Sequence, residues 1–181
     1  DLSNIHRQSL YDIKDLKKSK VSAAQKRLKK INSKIKINCH KIRLNKKNYS
    51  KFLNKYDFIV DGSDNFETKF LINDFCKTAK KFLVTGAISK FDGHVFTFDF
   101  SNKNTPCIRS FFQENKISDD MLNCEYEGIL GTVAGIIGTI QANEVLKKIL
   151  GIGKDLNGYI LVIDLLNLNF RKVKLKKLKN V

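Results

Sequence analysis

The 181-residue sequence has no Trp and a single Pro, Pro106. That composition excludes a proline-rich or collagen-like chain. Its four cysteines, at positions 39, 76, 107 and 124, form no CxxC pair. This argues against a disulfide scaffold and against a self-contained zinc knuckle. No uninterrupted apolar run approaches the ~20 residues that a bilayer requires. No signal-peptide pattern is visible at the N-terminus. The expectation is a soluble, cytoplasmic protein. Methionine is nearly absent too: Met121 stands alone and residue 1 is Asp. This predicts either processing or sequence upstream of Asp1.

Acidic residues are scarce, with 18 Asp+Glu against 34 Lys+Arg and a net charge of +16. The excess is uneven: residues 1–56 carry +14, residues 57–170 carry −4 and residues 171–181 carry +6. The lysines come mixed with Asn and Ile, and no RNP-like aromatic motif or zinc finger accompanies them. Charge alone therefore does not support specific nucleic-acid binding. It suits an acidic protein partner or the phosphates of ATP. The hydrophobic fraction of 42% is enough for a folded domain with a core.

Residues 17–31 have helical periodicity, with Val21, Ala24, Leu28 and Ile31 on one face. Residues 34–43 alternate, Ile35, Ile37 and Cys39 opposing Lys34, Lys36 and Asn38, which predicts a strand. A short helix is expected over 48–55, a buried parallel-type strand over 57–61 and a helix over 65–80. A second buried strand is expected over 82–85, closed by Gly86. Residues 90–100 alternate, with Val95 opposite Phe96 and Phe98. Residues 101–127 are irregular and polar, long enough to suggest a functional connection. A long helix follows over 128–150, its first half made small by Gly131, Thr132, Ala134, Gly135 and Gly138. Such a helix suits close approach to a sheet or to a partner subunit. Residues 159–164 and 170–175 read as a closing hairpin or edge pair. The order describes an α/β fold with a mixed sheet, read as one domain over residues 1–181.

Four places carry groups suited to chemistry. Ser3, Asn4, Ile5, His6 and Arg7 precede Lys20, which opens a helix. Arg offers a planar fork and Lys a point charge, both suited to polyphosphate, although the segment also reads as a solvated basic stretch. Asp64 and Asn65 follow a buried strand and a Gly62 turn, where ligands of open α/β sheets bind. A carboxylate there suits Mg²⁺ beside phosphates. Equally, Asp64 or Ser63 would serve as a helix N-cap. Cys124 lies in the polar connection before a helix, where a thiol can act as a nucleophile, but Glu125 and Glu127 disfavour the thiolate. Cys39 and Cys76 fall on a strand face and in a helix and read as core. Cys107 begins Cys-Ile-Arg-Ser; a second Cys at 110 would make half a zinc site, but Ser110 stands there.

Taken in order, the stretches DLSNIHRQ (1–8), Lys20, FIVDGSDNFETKFLINDFC (58–76) and FLVTGAISKFDGHVFTF (82–98) match a known family. PCIRSFF (106–112), CEYEGILGTVAGIIGTIQANEVLK (124–147) and LGIGKDLNGYILVIDLLNLNFRKVKL (150–175) complete the match. Together they resemble the adenylyltransferases that activate ubiquitin-like sulfur carriers in molybdopterin and thiamine biosynthesis. These are E1-like relatives of the ubiquitin-activating enzyme. The resemblance implies a Rossmann-like mixed sheet with helices on both faces, here without its first β-α-β unit and Gly-rich phosphate loop. The chain would then be the C-terminal two-thirds of such an enzyme, and alone it is expected to bind ATP poorly. The implied reaction is attack of a carrier's C-terminal Gly-Gly carboxylate on the α-phosphate of ATP. By position, Asn4, Arg7 and Lys20 would contact ATP, with Ser3, Ile5 and His6 in the same segment. Asp64 would hold Mg²⁺ and Asn65 would line the nucleotide. Cys124 sits where some members have a cysteine that forms a persulfide or thioester. Zinc is not expected, because only Cys107 of the family's four ligands is present. Lys69 stands where many members have Arg. A separate sulfur donor and a homodimer are implied, and no membrane. The alternative is a non-catalytic accessory subunit of an E1-like heterodimer.

Overall fold

The computed structural model describes residues 2–112 and 128–177. It divides into two compact units, residues 1–43 and residues 44–181.

The first unit holds two single 3-10 turns, Leu2–Asn4 and Ile13–Asp15, followed by helix α1, Lys20–Ile31. Asp12 accepts from the Lys14 N–H at 2.7 Å, and the Asp15 carboxylate accepts from the Asp12 N–H at 3.3 Å. That reciprocal pair is a capping box. Helix α1 starts three residues later than its periodicity predicts. Lys17 has a left-handed φ of 63°, which a right-handed helix does not accommodate. At the other end Ile31 is 76% exposed, so it does not share a buried face with Val21, Ala24 and Leu28.

The strand predicted over 34–43 does not form. Among the described residues this stretch has no ladder partner. Its carbonyls turn to α1 instead. Gln25 Nε2 donates to the Ile37 carbonyl at 2.9 Å, and Lys29 Nζ donates to that of Ile35. The Cys39 thiol donates to the Val21 carbonyl at 3.1 Å, so Cys39 is half-buried rather than core. Side chains thus take over main-chain groups that a neighbouring strand would otherwise satisfy.

The second unit contains α2 (Tyr49–Leu53), β1 (Phe58–Asp61), α3 (Phe66–Thr78), β2 (Phe82–Ser89) and β3 (Asp92–Asp99). After a 3-10 turn at Ile108–Ser110 come α4 (Gly131–Leu150), β4 (Tyr159–Asp164) and β5 (Asn169–Lys174). The strands form one sheet in the order β1-β2-β3-β4-β5. The β1–β2 pair is parallel and joined by α3; every other pair is antiparallel. The expected pairing of 159–164 with 170–175 is the β4–β5 ladder.

Alternation along the strands builds two cores. Leu83, Phe96, Phe98 and Ile160 bury one face with Phe70, Ile72, Phe75 and Cys76 of α3. Phe82, Val84, Val95 and Ile163 bury the other with Val133 and Ile137 of α4. Helices therefore cover both faces, as expected. Cys76 is fully buried in the first core, and desolvation pushes its thiol up to about 12. Among the described residues no helix is long and apolar enough to cross a membrane.

Gly86 does not close β2. The strand continues to Ser89, with Gly86 opposite Val95 and Ser89 opposite Asp92. The glycine instead makes room for α4. A Cβ on Gly86 would stand 2.8 Å from Ile137 Cγ2 and 2.8 Å from Gln141 Oε1. On Gly93 it would overlap Ile137 Cδ1. Helix α4 begins at Gly131 rather than Gly128, because Leu130 stays extended and its N–H donates to the Lys90 carbonyl at 3.2 Å. Near its far end, Glu144 is 2% exposed and accepts from the Leu156 N–H at 2.7 Å, holding the turn into β4.

Candidate functional site

In the first unit Asn4, Ile5 and Lys20 line one cavity of about 480 Å³, together with Gln8 and Tyr11. Arg7 Nη2 donates to Asn4 Oδ1 at 2.6 Å, and its Nη1 donates to the Ser3 carbonyl at 3.0 Å. His6 Nε2 lies 3.4 Å from the same Nη1. The Ser3–Arg7 segment is thus one hydrogen-bonded unit around the guanidinium. Lys20 and Ala23 bring the first turn of α1 to the cavity wall. Ser19, the N-cap, makes no side-chain hydrogen bond to that turn. Free N–H groups and the positive end of a helix dipole favour an anion there. Tyr11 is held above its ordinary pKa by burial and by Asp15, so it stays a neutral hydroxyl.

In the second unit β1 and β2 run parallel, and α3 starts beyond the carboxyl end of β1. The N-cap of α3 is Asn65, whose Oδ1 accepts from the Thr68 N–H at 2.9 Å. The cap expected of Asp64 or Ser63 therefore belongs to neither. Asp64 is exposed, and its carboxylate accepts from Asn65 Nδ2 at 3.3 Å. A single exposed carboxylate of this kind fits Mg²⁺, which commonly binds one or two carboxylates plus substrate phosphates and waters. Among the described residues no group of three or more His, Cys, Asp or Glu side chains forms a metal cage.

The sequence reading missed a buried polar network behind this turn. Lys69 and Asp61 form an ion pair at 3.2 Å, with Thr85, Gly86 and Gln141 around them. A signal was present: Lys69 lies three residues before Ile72 and seven before Cys76, a lone cation on the apolar stripe of α3.

The PCIRSFF stretch is tied to α3. Arg109 forms a two-pronged pair with Asp74 at 3.0 and 2.7 Å and lies 4.4 Å from the centre of the Phe70 ring. Asn73 Oδ1 accepts from the Ile108 N–H at 3.2 Å. Cys107 is 3% exposed within the core. Cys124 lies outside the described residues.

His94 on β3 rests against Phe111, ring centres 5.7 Å apart, and against Phe96 at 6.3 Å. Burial pulls its pKa below the ordinary value, with Asp92 opposing in part. An unfolded His titrates near about 6.5. Below that pH the unfolded chain takes up the proton first, so this contribution to stability falls until the lower folded-state value is passed. Denaturant midpoints are expected to drop from pH 7 to pH 5.5, and His94→Gln is expected to flatten that slope. An unchanged slope in the variant would show that His94 does not titrate as its burial implies.

The family model for ThiF matches residues 1–181. The chain belongs to the ThiF family. It is 37% identical over 180 residues to a sulfur carrier protein adenylyltransferase of Thermus thermophilus, covering 98% of this chain and 66% of that one. It is 35% identical over 181 residues to a probable molybdopterin-synthase adenylyltransferase of Gracilaria tenuistipitata, covering 100% of this chain and 50% of the relative. Against the adenylyltransferase and sulfurtransferase MOCS3 of Xenopus laevis it is 37% identical, covering 99% and 40%. The chain thus spans between two-fifths and about two-thirds of the length of these relatives. The structure of Escherichia coli MccB with MccA superposes with a TM-score of 0.82 at 16% identity, covering 99% of this chain and 54% of that one. PaaA superposes with a TM-score of 0.79 at 18% identity, covering 96% and 61%. At these identities the likeness concerns the fold alone.

Proposed function

We propose that this protein adenylylates the C-terminal Gly-Gly carboxylate of a ubiquitin-like sulfur carrier. A carboxylate oxygen attacks the α-phosphorus of ATP. The bond from that phosphorus to the bridging oxygen breaks, pyrophosphate leaves with the electron pair, and an acyl-adenylate remains. Such a displacement is catalysed by positioning and charge neutralisation rather than by a covalent group on the protein. In this reading Asn4, Arg7 and Lys20 hold the phosphates, with Ser3, Ile5 and His6 in the same segment. Asn65 lines the nucleotide, and Asp64 holds Mg²⁺. When bound, Mg²⁺ supplies charge neutralisation and orientation of the phosphate oxygens. In a later step Cys124 would form a persulfide or thioester link; for a persulfide, its thiolate would attack the outer sulfur of a separate donor protein's persulfide, whose S–S bond breaks as the donor thiolate leaves. The protein would work as a homodimer.

The observation that carries the reading is the cap of α3. Because Asn65 supplies it, the exposed Asp64 carboxylate is available for a cation at the carboxyl end of a parallel strand. The names of the relatives above, and the capture of E. coli MccB with ATP, support the same direction. The test is exchange of labelled pyrophosphate into ATP by the full-length protein. Exchange is expected only when Mg²⁺ and a carrier ending in Gly-Gly are both present. Equal exchange with a carrier lacking the last two residues would overturn the reading.

A further inference from the structure

Asp61 ends β1 and is 2% exposed. Its Oδ2 accepts from the Thr85 hydroxyl at 2.6 Å and from Lys69 Nζ at 3.2 Å. Its Oδ1 accepts from the Ser63 N–H at 2.8 Å. Lys69, 4% exposed, also donates to the Gly86 carbonyl at 2.5 Å. Gln141 Nε2 donates to the Asp61 carbonyl at 2.8 Å. One carboxylate thus joins α3, β2 and the turn that follows β1.

A buried ion pair contributes little to stability beyond what apolar side chains of the same shape would give. Its distinctive effect here is direction. With Oδ2 held by Lys69 and Thr85, Oδ1 faces the turn and receives the Ser63 N–H. That hydrogen bond sets the backbone one residue before Asp64. An apolar pair would fill the same space and leave the Ser63 N–H with no acceptor.

We propose that Lys69 is a positioning residue: it orients the Asp61 carboxylate, which fixes the Gly62–Asn65 turn and so places the Asp64 carboxylate for a divalent cation. The functional half rests on the adenylylation reading; the conformational half stands without it.

Lys69→Met keeps most of the side chain's length and removes its charge. Two quantities are to be read: hydrogen exchange of the Ser63 amide, normalised to core amides of α4, and the Mg²⁺ dependence of ATP–pyrophosphate exchange. The Ser63 amide is expected to exchange at least about tenfold faster. The Mg²⁺ concentration for half-maximal activity is expected to rise by about ten- to a hundredfold, with a smaller change in rate at saturating Mg²⁺. Lys69→Arg is expected to restore both, which a general loss of stability would not predict. If Lys69→Met does not fold, Thr85→Val removes the other Oδ2 donor and is expected to loosen Ser63 in the same direction. Wild-type Ser63 protection in whichever of these variants folds would overturn the proposal, as would a wild-type Mg²⁺ requirement in a folded Lys69→Met. Full-length wild-type protein without any exchange activity would instead overturn the adenylylation reading, and Ser63 would still decide the positioning.

Discussion

In the full-length protein, Asp64→Ala is expected to lower carrier-dependent ATP–pyrophosphate exchange by at least about a hundredfold, as loss of a charge-stabilising group in a phosphoryl-transfer site does. Its melting temperature is expected to stay at the wild-type value. Asp64 is exposed and its carboxylate accepts from Asn65 Nδ2, so truncation removes no core contact and no cap. Surface changes of that kind fall within about 0.5 kcal/mol. Asn65→Ala separates the two roles. It removes the acceptor for the Thr68 N–H and is expected to destabilise the protein by about 1 kcal/mol. Thermal melts of both variants beside the exchange assay make the comparison. Wild-type activity in Asp64→Ala would remove this carboxylate from the reaction. A destabilised Asp64→Ala would return it to a capping role.

That division of labour was not legible in the sequence. Ser63, Asp64 and Asn65 are all good N-caps, and only backbone geometry decides which one supplies the oxygen. Much of the rest was readable. The Phe58–Asp61 and Phe82–Val84 runs are apolar enough to announce buried strands, and the alternation of Val95 with Phe96 and Phe98 assigns each to its core. The Lys69–Asp61 pair was only half legible: Lys69 is an anomalous cation on the apolar stripe of α3, but Asp61 looks like an ordinary strand-end aspartate. Eight residues apart and on different elements, they meet only once α3 crosses between β1 and β2. The false strand at 34–43 failed for the opposite reason. Its alternation is real, but a strand is a property of two segments, and among the described residues the second is absent. Gly86 misled because a glycine after an apolar run usually signals a turn. Here it marks a close approach of a helix.

That approach gives the largest expected effect on stability. Gly86→Ala would bring its Cβ to 2.8 Å from Ile137 Cγ2, 2.8 Å from Gln141 Oε1 and 2.9 Å from Gln141 Cδ. Ile137 is 3% exposed and Gln141 6%, so neither has open space to enter. Moving Gln141 also pulls its Nε2 from the buried Asp61 carbonyl, which it meets at 2.8 Å. Overpacking together with the orphaned carbonyl predicts a loss of about 2–5 kcal/mol. Gln141→Ala alone is expected to lose the same hydrogen bond. In the double variant that loss occurs once, so the two changes should sum to less than their separate costs. Gly62→Ala is the control. It lies one residue beyond the same Asp61, but a Cβ there meets nothing within 4 Å. Its expected effect is within about 0.5 kcal/mol. Urea unfolding of the four variants measures all of these. Strict additivity of Gly86→Ala and Gln141→Ala would mean that the helix gives way at Ile137 instead. The Asp61 carbonyl would then keep its donor, and the close contact would be one of shape alone.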